Sequence, residues 1–142
     1  MSRISVKWLI EKKWINELIR EWGKMKEERV RRIRKSMDNQ LIEKGFVTVV
    51  DTFIDIGILD KSNYEKWKKL QVSYLEQVCK GNLNKLSEII REIYKYSKEL
   101  NLKESFTFYK KYGKGKEKLR FSKSGRDNIE KRYATHFIIN IE

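Results

Sequence analysis

The amino-acid sequence predicts a mainly α-helical fold: a helical domain of four to five helices with a small C-terminal β-hairpin or three-stranded element. Three observations carry that reading. Apolar residues recur at spacings of three and four from Ile15 to Leu100, the period of helices with one buried stripe each. Proline is absent, so no helix is stopped by a missing donor, and glycine and asparagine must do the punctuating. After Leu102 the pattern changes to alternation around a glycine-rich turn, the signature of a hairpin.

The first element runs from about Ser5 to Lys44. Ile15, Leu18, Ile19, Trp22 and Met25 form one stripe, and Val30, Ile33, Met37 and Leu41 a second. The stripes slip relative to each other after Gly23, so one kinked helix competes with two. Gly45 ends the element. Phe46, Val49, Val50, Phe53 and Ile54 predict a second helix closed by Gly57, preferred over a strand at Phe46–Val50. A third fits Asn63 to Lys80, with Ser62 or Asn63 as cap. A fourth fits Leu83 to Leu100, capped by Asn82. Ser105–Phe108 and Leu119–Ser122 alternate about Gly113-Lys114-Gly115-Lys116 and predict the hairpin. Asp127 is placed to cap a short helix through Ala134. The tail Phe137–Ile141 is β-branched and suits a last strand beside the hairpin. The organisation expected is one domain over residues 1–142. Residues 1–45 are its long basic N-terminal helix, 46–102 its helical core, and 103–142 its basic hairpin and C-terminal element.

Composition narrows the function. The lone cysteine, Cys79, allows no intrachain disulfide, and no apolar run near the N-terminus resembles a signal peptide. No stretch approaches the roughly 20 apolar residues of a membrane span. A soluble, cytoplasmic protein with no membrane partner is expected. One histidine and one cysteine rule out a zinc finger, and neither phosphate-loop nor dinucleotide glycine spacing is present. Asp51, Asp55 and Asp60 read as exposed helix acids, not as a magnesium site. No metal and no other cofactor is expected.

The net charge is +13, distributed as +6 over residues 1–45, +1 over 46–100 and +6 over 101–142. Two basic ends around a neutral middle suit a polyanion, and DNA or RNA is the partner expected. At one end, the run from Lys24 to Lys35 places Lys24, Arg31, Arg34 and Lys35 near one helix face, where arginine can grip phosphate bidentately. Salt bridges from Glu27 to Arg31 and Glu28 to Arg32 are the competing use of that run. At the other end, the hairpin carries Lys110, Lys111, Lys114, Lys116, Lys118, Arg120, Lys123 and Arg126. Phe106, Phe108, Tyr109, Tyr112 and Phe121 are interleaved with them, Tyr112 standing among the cations. Cations hold a nucleic-acid backbone and rings stack on its bases. The alternative is that the rings are core.

The leading expectation is therefore a non-enzymatic, regulatory nucleic-acid-binding protein. A ribonuclease-like enzyme centred on His136 and Tyr133 with nearby cations is the second. A helical adaptor or homo-oligomer joined through the N-terminal helix is the third. A helix-turn-helix about Lys80-Gly81-Asn82 competes with a plain helical hairpin. The stretch from Leu119 to Phe137 is the first place to look for a site.

Overall fold

Helix ends in this chain are set by left-handed backbone more than by side-chain caps, and that decides where its elements begin and stop. The computed structural model describes residues 6–115 and 117–141. Its elements are α1 (Val6–Lys44), β1 (Phe46–Thr48), α2 (Val49–Asp55), α3 (Lys61–Lys68), α4 (Leu83–Glu99), β2 (Lys103–Phe106), α5 (Asp127–Ala134) and β3 (Thr135–Ile138). A single 3-10 turn spans Leu75–Val78. The mainly helical class with a small three-stranded sheet is as expected.

The chain divides into two compact units, residues 1–32 and 33–142. The first holds the N-terminal part of α1, which passes through Gly23 as one element. The second holds everything from Ile33. Gly45, at φ 78, closes α1 with its amide on Leu41 O at 3.0 Å. Gly57, Leu70 and Asn101, at φ 81, 60 and 55, end α2, α3 and α4. Each is followed by an amide that reaches back five residues: Ile58 to Phe53 O, Gln71 to Lys66 O, Leu102 to Ser97 O. This is the Schellman closure. Asn82 caps α4, its Oδ1 accepting from Lys85 N at 2.9 Å.

Five expectations are corrected. The helix expected from Phe46 begins only at Val49. Phe46–Thr48 is instead a strand, because the C-terminal segment offers it a partner: Val47 faces Phe137 and Thr48 faces His136. Thr48 then turns the chain, its Oγ1 accepting from Asp51 N at 2.9 Å. The helix expected over 63–80 stops at Lys68. The amides of Leu75 and Glu76 bond Arg120 O and Phe121 O, which a continued helix would forbid. With α3 ended at Lys68 and only a 3-10 turn at Leu75–Val78 before Gly81, no α-helix meets α4 across Lys80-Gly81-Asn82, so neither the helix-turn-helix nor the plain helical hairpin forms there. The hairpin is also shorter than expected. Lys110 and Lys118 form an isolated bridge, and Leu119 N bonds Tyr109 O at 2.8 Å. Residues 103–106 pair with β3 instead. The cap expected at Asp127 is Arg126, with Asp127 in the first turn.

β3 is the central strand, antiparallel to β1 on one side and β2 on the other. The sheet, α4 and the C-terminal end of α1 bury a core of Ile33, Met37, Phe53, Trp67, Ile89, Ile93 and Phe137, each at most 1% exposed. A buried polar network lies among them. Gln40 donates to Thr52 Oγ1 at 2.9 Å and to Ser36 Oγ at 3.1 Å, and accepts from Thr48 N at 3.0 Å. Ser36 donates to Asp55 at 2.7 Å. With its amide satisfied on both sides, Gln40 joins α1 to the β1–α2 corner without an orphaned polar group.

Candidate nucleic-acid interface

Beyond Phe106 the chain leaves the sheet but keeps its alternation. Tyr109 turns inward, its ring 5.6 Å from Trp67 and 5.2 Å from Phe121. Phe106 and Phe108 turn outward, 45% and 51% exposed. Their rings meet edge to face at 4.8 Å. The expectation that the aromatics are either platform or core thus divides by position: Tyr109 and Phe121 are core, Phe106 and Phe108 are surface.

Cations frame the two exposed rings. Lys118, on the returning arm of the short hairpin, holds its ammonium 3.5 Å from the Phe108 centroid. Lys131, on α5, lies 5.4 Å from the Phe106 centroid. Together these residues line an open groove of about 500 Å³, with Phe121 and Ala134 among its walls. Glu130 and Asp127 also border it. The Glu130 carboxylate is already occupied, accepting from Phe121 N, Ser122 N and Ser122 Oγ at 2.8, 2.7 and 2.5 Å. Arg120 reaches the groove as well. Its guanidinium lies 5.6 Å from the Tyr74 ring and donates to Ser122 O at 2.7 Å and to Lys123 O. Aromatic faces with adjacent ammonium groups can stack a base and hold its phosphate.

The other expected contacts are dispersed. Lys110, Lys114, Lys123 and Arg126 are exposed. Lys111 pairs with Glu117 at 3.5 Å. Tyr112 donates to Glu65 at 3.3 Å, with Lys68 4.9 Å from its ring. Lys116 lies outside the described residues. Of the α1 cations, Lys24 and Arg31 belong to the first unit, Arg34 and Lys35 to the second. Lys24 pairs with Glu21 at 3.5 Å, and Arg31 with Glu28 at 2.9 Å in place of Glu27. Arg34 is bound by two carboxylates of α4, Glu92 at 2.9 Å and Glu99 at 3.1 Å, and lies over Tyr96 at 4.7 Å. The hydrogen bond to Glu92 raises its pKa further. Lys35 is exposed. Lys131 was not among the expected contacts. Only the pairing of Phe106 with Thr135, one helical turn beyond Lys131, brings it to the groove.

The two residues expected for catalysis take separate partners. Tyr133 is 3% exposed and stacks on Phe121 at 5.5 Å. Its hydroxyl donates to Glu76 at 2.6 Å, and burial pushes its pKa far up. His136 stacks on Phe46 at 5.5 Å and shares a hydrogen bond with Tyr109 Oη at 3.1 Å. Burial, with Lys44 nearby, holds its pKa below the ordinary histidine value. Burial likewise pushes the Cys79 thiol up to about 12, which leaves it a poor nucleophile. Among the described residues, no cluster of three His, Cys, Asp or Glu could hold a metal ion. Nor is any helix among them long and apolar enough to cross a membrane.

No protein-family model matches the chain, and no curated protein or solved structure matches it significantly.

Proposed function

We propose that this protein binds single-stranded nucleic acid through the groove between β2, the short hairpin and α5. One observation carries the reading: two half-exposed phenylalanines, Phe106 and Phe108, lie in an open groove with Lys118 and Lys131 against them. Large rings left in solvent lose the free energy of burial, and a base stacked on them recovers it. The ammonium groups then meet the phosphates that accompany each base. A duplex hides its base faces, so the groove suits unpaired strands or loops. The net charge of +13 adds attraction for any polyanion without distinguishing among them.

Fluorescence-anisotropy titrations with single-stranded DNA, single-stranded RNA, duplex DNA and hairpin RNA at two salt concentrations test this. Single strands or loops are expected to bind more tightly than duplex, and more weakly as salt rises. Equal affinity for duplex, or no binding at low salt, rejects the groove as a stacking site.

A further inference from the structure

In the first unit, α1 leaves a continuous apolar face in solvent. Trp14, Ile15, Leu18, Ile19, Trp22 and Met25 are each between 54% and 70% exposed. At 3.6 residues per turn they share an arc about 140° wide. No charged residue between positions 14 and 25 falls on that arc. From side-chain size and exposure, the six present on the order of 800 Å². A monomer ordinarily leaves a largest patch of about 300–600 Å², whereas a stable association covers about 800 Å² on each partner.

We infer that this face is the contact surface for a second copy of the chain, paired antiparallel about a two-fold axis near Arg20. The sequence is self-complementary in that register. Leu18 of one copy faces Trp22 of the other, and Ile15 faces Met25. Where the arc turns polar, Glu11 at one end faces Arg29 at the other, and symmetry makes this pair twice. Lys26, its ammonium 3.7 Å over the Trp22 indole, and Lys12, 4.8 Å over that of Trp8, border the face, and their ammonium groups must swing outward when the second copy packs on it. A lipid surface is the other apolar partner such a helix could meet. A membrane-surface helix keeps a cationic polar face, but here Glu17 and Glu21 stand among Lys13, Arg20 and Lys24, and Glu21 pairs with Lys24 at 3.5 Å. The inference is independent of the nucleic-acid groove, which lies in the second unit.

Sedimentation of the full chain over a concentration series, without nucleic acid, is the test. The apparent mass should rise to twice that of one chain. Leu18→Glu should weaken association by at least about tenfold, with the helical circular dichroism of the second unit retained. Glu11→Arg and Arg29→Glu should each weaken it, and the double variant should restore it. A wild-type chain that stays monomeric at several hundred micromolar overturns the inference without recourse to any variant. So does flotation of the wild-type monomer with anionic vesicles. Dissociation by Leu18→Glu without restoration by the double exchange overturns the antiparallel register.

Discussion

Phe106 and Phe108 are two residues apart, and that spacing alone sets them on the same side of an extended chain, opposite Tyr109. Burial then separates their roles. Phe108→Ala should lower affinity for single strands by about 1–3 kcal/mol, measured by anisotropy, while the thermal midpoint hardly changes because the ring is half in water. The other residue whose environment is decisive is His136. Its pKa is lowered by burial and by Lys44, so the folded chain holds fewer protons than the unfolded one in the window below about 6.5. Stability from this group is therefore full above that value and declines as pH falls toward the lowered folded pKa. Urea midpoints between pH 7.5 and 5 should show the decline, and His136→Gln should flatten it. An unchanged slope in the variant assigns the pH dependence to other groups.

At the scale of elements, the ends of α2, α3 and α4 share one closure but not one residue type. Glycine and asparagine adopt φ near +60° readily, and leucine does not. Leu70 nevertheless ends α3 at φ 60 while 45% exposed. Leu70→Gly should raise stability by up to about 1 kcal/mol in chemical denaturation, since it relieves strain and removes little packing. The opposite end of the same logic is Asn82. Asn82→Ala leaves the Lys85 amide without its acceptor and should destabilise by about 0.5–2 kcal/mol. A smaller loss would mean that water replaces the cap.

For the whole molecule, the proposed single-strand binding links charge to affinity through counterion release. Each lysine that contacts phosphate contributes roughly one unit to the slope of log affinity against log salt. Lys118→Ala and Lys131→Ala should each reduce that slope by about one and weaken single strands of every sequence alike. Arg34→Ala should leave the slope unchanged, because Glu92 and Glu99 already hold that guanidinium. A steeper loss from Arg34→Ala would show that it leaves those carboxylates for phosphate.

The sequence by itself determined the helical class, the helical character from about Ser5 to Lys44 with one kinked helix or two left open, α4 with its Asn82 cap, the short α5 and the glycine turn at 113–115. All of these rest on local physics: a 3.6-residue apolar period, an amide that needs an acceptor, a positive φ that glycine adopts freely. It also marked Phe106, Phe108 and Lys118 as residues of interest. Tertiary structure decided what depends on partners far along the chain. Phe46–Thr48 is a strand because Phe137 arrives beside it, and the 63–80 helix breaks because Arg120 and Phe121 take the amides of Leu75 and Glu76. Arg34 is committed to α4, and Lys131 reaches Phe106, for the same reason. Local spacing records which way a side chain points from its own backbone. It does not record what lies opposite, and here that is what separates a core aromatic from an exposed one, and an arginine held by two carboxylates from a lysine set against an exposed ring.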